Sequence, residues 1–433
     1  MLLAAIITAS VFILLILSIL FFPKIKCGRA EIGTYWIVAL FGAIALTVCG
    51  LLPFEKVVSG MTENSAINPI KILVLFFSMT FLSVFLDETG LFEFLAKKAV
   101  SASKGGQVSL LVILYFLTSS LTVFTSNDIV ILTLTPIVCV FCQSARIDAT
   151  PYLVAEFAGA NTWSMALLIG NPTNIFLATK AGIGFLEFTK VMILPTIVSG
   201  LVEFLLILLI FKKRLKKPLD AINEKAEVKD KLSVLIGAIH LFGCLVTLAV
   251  SSEIGVESYA VCAFFAVSLV LFVLGSAIIK RENLKRLLRT FIRLPWQLVP
   301  LVVSMFAIVV CLEHNGIVAE LAKFLGEKSA VWVYGVSSAL SANLINNIPM
   351  SMLFSSLTET LSVAVYEKAV FASIIGSNIG AFLTPLGALA GIMFTSLTEK
   401  SGVKYGFKEF IKYGVVISVP TLCSALAVLA VIA

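Results

Sequence analysis

The chain opens on an apolar run from Leu2 to Phe22, interrupted only by Thr8, Ser10 and Ser18. Comparable runs recur at 35–53, 69–86, 107–122, 151–169, 185–211, 232–251, 256–279, 297–313, 330–345, 367–382 and 411–432. A bilayer span takes about 20 apolar residues, and backbone inside hydrocarbon must satisfy its own hydrogen bonds, which helices do. The 433 residues are 59% apolar and 13% charged, with a mean hydropathy of +1.06. They hold roughly 10–12 spans joined by short loops, with no room for a sizeable soluble domain. The expected fold is therefore an all-α polytopic membrane protein, and a soluble enzyme is excluded. The first run has no positive leading region and no clear small-residue cleavage site, so it reads as a span rather than a removable signal.

Net charge is +7, from 32 Lys and Arg against 25 Asp and Glu. The excess sits in loops and marks topology rather than a nucleic-acid partner. Loop 23–34 carries Lys24, Lys26 and Arg29 against Glu31. Loop 212–231 carries eight basic residues against four acids, and loop 280–296 six basic residues against Glu282. These three loops are expected on the cytoplasmic side of the cell membrane. Loop 252–257, with only Glu253 and Glu257, is expected outside. The basic linker 212–231 reads as an anchor at acidic headgroups, with a docking surface for a soluble partner as the alternative.

The first span thus starts outside and the span at 232 starts inside, and the two halves resemble each other. Leu86-Asp87-Glu88-Thr89-Gly90 leads to Leu95-Ala96-Lys97; Leu312-Glu313-His314-Asn315-Gly316 leads to Leu321-Ala322-Lys323. Each half then shows a polar break, Ser126-Asn127-Asp128 in one and Asn346-Asn347-Ile348-Pro349 in the other. A second break follows, Gly170-Asn171-Pro172-Thr173-Asn174 and Gly376-Ser377-Asn378-Ile379-Gly380. The same order in opposite orientation is the sequence sign of inverted-topology repeats, here 1–211 and 232–433. Secondary transporters place their site at such an interface, on broken helices. Irregular backbone at that depth survives only where protein buries it or it lines a cavity. Asn and Ser oxygens with unwound carbonyls suit a small cation or polar solute, and half-helix N-termini suit an anion or lone-pair donor.

Asp128 is the sharpest single residue. A carboxylate at that depth is expensive unless it is protonated, paired or bound to a cation, so it is a candidate proton carrier; the competing role is a helix N-cap. Glu156 and Glu203 also lie in apolar runs, the first as a possible cavity residue, the second as a packing contact. Asp87, Glu88, Glu313 and His314 end their spans and read as interfacial. A lone histidine makes no metal centre, and no metal or cofactor is expected. The eight cysteines lie mostly in apolar runs and read as small hydrophobes. Cys139-Val140-Phe141-Cys142 has thiolate-ligand spacing, but thiols in an apolar hairpin read as neutral and inert. No Walker A, Gly-x-Ser-x-Gly or His-Glu-x-x-His pattern occurs, so this chain encodes no use of ATP.

Over about 70–420 the chain resembles the arsenical pump membrane protein (arsenite permease) family. That family sits within an ion transporter superfamily that also holds dicarboxylate/citrate symporters and sodium/proton antiporters. The resemblance rests on Ser83 to Glu93, Ser126-Asn127-Asp128 with Leu134-Thr135-Pro136, Pro295-Trp296-Gln297, Asn346-Asn347-Ile348-Pro349, and Gly376-Ser377-Asn378 with Leu383-Thr384-Pro385. It implies a scaffold part and a transport part in each repeat, the latter with a re-entrant hairpin and a broken helix, working as an elevator in a homodimer. By motif, Ser126, Asn127 and Asp128 fall at the first hairpin tip and Asn346 and Asn347 at the second. Asn171, Thr173 and Asn174 fall at the first broken helix, and Ser377, Asn378 and Thr384 at the second.

Two departures bear on the ligand. The permease pattern has an acid in the span before the first broken helix, where this chain has Asn161-Thr162. Gly170 to Asn174 also looks more like other branches of the superfamily. The expectation is proton-coupled arsenite or antimonite efflux. Alternatives are sodium- or proton-coupled anion transport, sodium/proton antiport, and a membrane subunit of an ATPase-driven pump.

Overall fold

The computed structural model describes residues 1–22, 24–27, 30–63, 68–103, 106–216, 230–280 and 284–432. Of the basic loops, residues 217–229 and 281–283 and Pro23, Gly28 and Arg29 lie outside the described residues. Among the described residues, nine helices are long and apolar enough to cross a membrane, and two shorter apolar helices accompany them.

The first half comprises α1 (Leu2–Phe21), α2 (Thr34–Val48), α3 (Phe54–Thr62), α4 (Pro69–Glu88), α5 (Leu91–Ala102), α6 (Gln107–Phe124), α7 (Asn127–Ser144), α8 (Thr150–Trp163), α9 (Pro172–Lys180) and α10 (Phe185–Phe211). The second comprises α11 (Lys231–Val250), α12 (Ser258–Lys280), α13 (Lys285–Arg293), α14 (Leu298–His314), α15 (Ile317–Leu325), α16 (Ala330–Ile345), α17 (Asn347–Glu359), α18 (Val363–Gly380), α19 (Leu389–Lys400) and α20 (Phe407–Ile432). Each half runs through one series: two spans, a short helix, a third span, a short arm, a helical hairpin, a helix broken near its middle, and a long closing helix. The arms α5 and α15 both start from a left-handed glycine, Gly90 at φ 83° and Gly316 at φ 75°. A β-carbon is strained in that region, so the likeness at Gly90 and Gly316 marks one turn made twice. The closing helices α10 and α20 pack along each other, and each carries an interior proline, Pro195 and Pro420.

One element departs from the all-α expectation. Lys24–Cys27 pairs antiparallel with Ala30–Gly33, in register Lys24 to Gly33 and Ile25 to Ile32. The polar–apolar alternation of Lys24-Ile25-Lys26 and Glu31-Ile32 is the strand period, in a loop too short for a helix.

Packing divides the helices into two groups. α1, α2, α4 and α11 to α14 contact one another, while α6 to α10 contact α16 to α20. Acids at the border between the groups are compensated. Asp87, in the last turn of α4, meets Arg293 of α13 at 2.6 Å and accepts from the Thr133 hydroxyl of α7 at 2.9 Å. Glu88 meets the same guanidinium at 2.7 Å. Burying a lone carboxylate costs several kcal/mol, so one arginine facing two acids is what lets them lie there.

A second pair holds the start of α11. Burial opposes the charged form of Asp230, yet the Ser233 hydroxyl and amide and the Arg286 guanidinium bring its carboxyl from 3.8 down to about 2. A depressed carboxyl contributes stability above its unfolded value and loses it as pH falls through the folded one. The stability difference between the native chain and Asp230→Asn is therefore expected to shrink between pH 4 and pH 2. The pair is about a third exposed, so the difference is no more than ~1 kcal/mol. Melting curves of both proteins across that range check it.

Candidate functional site

The site is built where helices stop short. α6 and α7 meet at the tip Thr125-Ser126, with Ser126 extended and buried. α8 ends at Trp163 and α9 begins at Pro172, with a 3-10 turn at Leu168–Gly170 between them. In the second half, α16 and α17 meet at Asn346, which turns the chain at φ 73°. α18 runs on to Gly380, so Gly376 to Gly380 lie inside its last turns and the break itself spans 381–388. The structural counterpart of Asn378 is therefore Asn161. Each sits near the end of the helix before a break and donates back to a carbonyl four residues earlier, Asn161 to Phe157 and Asn378 to Ile374, both at 2.8 Å.

Hydrogen bonding sorts the residues singled out from the sequence into two sets. Asn171, Asn174 and Asn378 are fully used. The Asn378 Oδ1 accepts from the Ser164 hydroxyl at 2.7 Å and from Asn171 Nδ2 at 2.9 Å, while its Nδ2 donates to Asn174 Oδ1 at 2.7 Å. Asn174 Nδ2 donates to the carbonyls of Ser164 and Leu167. These side chains form a buried clasp between the two broken helices. Asn346 is also used: it caps α17 and donates to Leu386 O at 3.1 Å. Thr384 donates to Asn343 Oδ1 at 2.7 Å and accepts from Leu386 N, shaping the second break.

The other set has capacity to spare. Among the described residues, Asn127 Oδ1, Asn347 Oδ1, Thr173 Oγ1 and Ser377 Oγ are buried without a hydrogen-bond partner. Asn127 and Asn347 occupy the same place in the two hairpins. Asn127 Nδ2 donates to Asn161 Oδ1 at 3.1 Å, which fixes that side chain and leaves its Oδ1 unsatisfied, and the backbone amide of Asn347 donates to Gly387 O at 3.0 Å. A buried polar group left unpaired costs about 1–3 kcal/mol. Two of them, Asn127 and Asn347, fall at matched positions at the starts of α7 and α17.

Asp128 follows Asn127 in the first turn of α7 and is half-buried. Among the described residues it has no ion pair and no hydrogen-bond donor, and Tyr35 of α2 is its electrostatic neighbour. Asp87 shows what a carboxylate in this protein looks like when its charge is compensated; Asp128 has nothing comparable.

The helix N-termini divide the same way. α9 is capped by Asn171 and α17 by Asn346, and these two half-helices pack together. α7 and α19 also pack together, and neither has a side-chain cap. The first turn of α7 carries the Asp128 carboxylate and that of α19 carries no acid, and such positive ends attract anions and lone pairs. A cavity of about 870 Å³ lies between α19, the start of α20 and the end of α1, with Pro385 and Leu386 of the second break in its wall. A smaller cavity of about 340 Å³ lies on the opposite side, between α3, α4 and α14 on one wall and α9 and α17 on the other.

Hydrogen bonds join the breaks pairwise. The first hairpin tip meets the end of α8, the first break meets the end of α18, and the second hairpin tip meets the second break. Asn343 joins the series by donating to Gly380 O at 2.7 Å. Ser164 and Asn343 are residues that sequence reasoning passed over, and Asn161, noted in the sequence only as a departure from the permease pattern, joins them. Their signal is a polar residue one or two turns inside an otherwise apolar run.

The remaining acids are held by hydroxyl groups. Glu156 accepts from the Thr135 hydroxyl at 2.7 Å between α8 and α7, and its other oxygen is buried without a partner among the described residues. Glu203 accepts from Tyr115 at 3.0 Å and from the Thr162 hydroxyl, tying α10 to α6 and α8. Glu203 thus brings a carboxylate to Asn161-Thr162, where the permease pattern has an acid in the chain itself. Cys139 and Cys142 are buried in the apolar core with Tyr152 and Phe157. Among the described residues, no cluster of three or more His, Cys, Asp or Glu is placed to hold a metal.

Span-length helices, interrupted helices meeting inside the bundle, and unsatisfied polar groups at their ends define a multi-pass membrane transporter. The citrate transporter family model matches residues 30–376, and the chain belongs to that family. It is also similar to the arsenical pump membrane protein of Escherichia coli strain K12, at 27% identity over 441 residues, covering 97% of each chain. Its fold is shared by the YdaH transporter of Alcanivorax borkumensis, with a TM-score of 0.58 at 16% identity over 99% of this chain and 97% of the other. It is shared as well by Neisseria gonorrhoeae MtrF, with a TM-score of 0.51 at 14% identity over 99% and 94%.

Proposed function

We propose that this protein is a proton-coupled secondary transporter that exports arsenite or antimonite. The observation that carries the reading is the uncompensated Asp128 carboxylate beside the unsatisfied Asn127 oxygen, at the uncapped end of α7. Asp128 carries the coupling proton. Asn127, Asn347, Thr173 and Ser377 offer oxygens to the ligand, and the amides at the α7 and α19 N-termini face its lone pairs. Ser126 lines the first tip. Asn171, Asn174, Asn346, Asn378 and Thr384 hold the geometry. The buried Cys139 and Cys142 thiols take no part, so trivalent arsenic is handled as a neutral hydroxide by oxygen and amide groups. Full-length similarity to arsenical pump membrane proteins supports the substrate.

The second reading is sodium- or proton-coupled transport of a carboxylate or oxyanion. It is favoured by the family model's citrate transporters and by the two uncapped N-termini. Sodium/proton antiport is a further variant of it. Counterflow separates these readings: vesicles loaded with unlabelled arsenite take up labelled arsenite under the first reading, and vesicles loaded with citrate take up labelled citrate under the second.

In the same proposal, residues 1–211 and 232–433 are inverted repeats joined by the cytoplasmic linker 212–231, with loops 23–34 and 280–296 on the same side. α6 to α10 and α16 to α20 move as one transport part against the remaining helices, in a homodimer. An ATPase partner would dock on the linker, and uphill flux by the purified chain alone counts against that role.

Two scaffold acids at equivalent places touch the moving part: Asp87 bonds to Thr133 of α7, and Glu313 of α14 lies 3.6 Å from Lys180 of α9. These contacts must break and re-form in each cycle. Asp87→Asn and Glu313→Gln are each expected to change maximal rate by ~3- to 10-fold with little change in KM, because they touch the conformational step and not the ligand. Initial-rate measurements over a substrate range check this.

A further inference from the structure

Away from the transport site, the short helix α13 makes a second feature with its own chemistry. It is seated on α4 through Phe291 against Phe81, ring centroids 5.0 Å apart, and Trp296 beyond it stacks on Phe77 at 5.1 Å. Only Leu287 and Thr290 of this helix are buried. Leu288 and Ile292 remain 59% and 76% exposed, beside Lys285, Arg286 and Arg289. A helix with one apolar face exposed, a basic face and a tryptophan at its end lies in the plane of a membrane interface.

Between α13 and the ends of α4, α11 and α12 is a cavity of about 480 Å³. Its walls are of two kinds. Phe85, Ile236, Phe272 and Val273 form a hydrocarbon side; Ser233, Ser276, Lys285, Arg286 and Arg289 form a polar, basic side. The acids that also line it are already engaged, Glu88 by Arg293 and Asp230 by Arg286, both at 2.7 Å. Arg289 has no partner among the described residues. Asp230 and Ser233 hold Arg286 in place, since its guanidinium also donates to the Ser233 hydroxyl at 2.7 Å.

We propose that this cavity binds one anionic phospholipid, with its phosphodiester at Arg286, Arg289 and Ser233 and an acyl chain along Phe85, Ile236 and Phe272. The charge decides for an anionic lipid over a zwitterionic one: Arg286 is offset by Asp230, while Arg289 faces the cavity without an acid partner among the described residues. The hydrocarbon wall decides for a lipid over a soluble anion, which would leave apolar surface wet. The site is independent of which ion the protein carries.

The test is native mass spectrometry and thermal unfolding of the purified full chain in detergent, with added phosphatidylglycerol, phosphatidylcholine or inorganic phosphate. The expected result is one retained phosphatidylglycerol per chain and a higher melting temperature with that lipid alone. Arg289→Glu is expected to weaken retention by at least ~10-fold, the worth of one charge-assisted hydrogen bond. Ser276→Phe fills the cavity without removing charge and is expected to abolish retention. Equal stabilisation by phosphatidylcholine or by inorganic phosphate overturns the proposal. So does unchanged retention in Arg289→Glu whose melting temperature without lipid matches the native chain.

Discussion

Asp128→Asn is expected to remain folded in the membrane and to lose proton-driven accumulation of substrate, by ~10- to 100-fold, the range of a 1–3 kcal/mol coupling between two sites. Asparagine has the same shape as aspartate. The N-cap position of α7 belongs to Ser126, so if Asp128 has only a structural place in the first turn, the variant transports normally. If it carries the proton, the variant cannot change charge and coupling is lost while substrate binding survives. The structure sharpens this contrast, because Asp128 lacks the compensation that Asp87 receives from Arg293 and Thr133. Substrate-induced stabilisation of the purified variant, measured beside its transport, separates lost coupling from lost binding. Full transport with an unchanged pH dependence removes Asp128 from the coupling role.

Gly376→Ala is expected to remove folded protein altogether. Helices α16 and α18 are in close contact at this point, and a β-carbon on Gly376 falls well inside contact distance of the Gly335 carbonyl and the Ser338 hydroxyl. A β-carbon on Gly380 falls 2.6 Å from Ala339 Cα. The obstacle at Gly335 is backbone and cannot swing away, so the cost exceeds the ~1–3 kcal/mol of ordinary overpacking. It also displaces Asn378, two residues on, from the clasp that joins the broken helices. Against a total stability of about 5–15 kcal/mol the change is large. Gly275→Ala is the control, since nothing lies within 4 Å of its β-carbon. Size-exclusion profiles and melting curves of the two variants read the difference.

Much of this architecture is legible in the chain because hydrocarbon imposes strict rules. Span-length runs announce α1, α4, α10, α11, α12 and α20. The paired Gly90 and Gly316 motifs announce the matching order of elements in the two halves, and Ser126-Asn127, Asn171 and Asn346 announce where helices stop. The small β-hairpin at Lys24–Gly33 is less legible, because four-residue strands give a weak period.

Legibility ends at the roles of individual asparagines. Asn127 and Asn174 look alike in sequence, yet one keeps an unsatisfied oxygen and the other is wholly engaged. The difference depends on partners, Asn378 and Ser164 among them, that no local pattern reveals. Order alone matches Gly170–Asn174 with Gly376–Gly380, whereas the fold matches Asn378 with Asn161, because the second helix breaks later relative to its motif. Similarly, Glu203 reads as a packing contact until the fold brings it to Thr162 and Tyr115.

In the proposed cycle this chain alone couples a proton gradient to movement of its substrate through Asp128. The most direct measurement is arsenite flux in proteoliposomes holding only the purified protein, with a proton gradient imposed and then collapsed by an ionophore. The expected result is accumulation against the arsenite gradient, loss of that accumulation when protons equilibrate, and none with Asp128→Asn. No arsenite flux in folded protein, or accumulation that follows a sodium gradient and ignores the proton gradient, contradicts it.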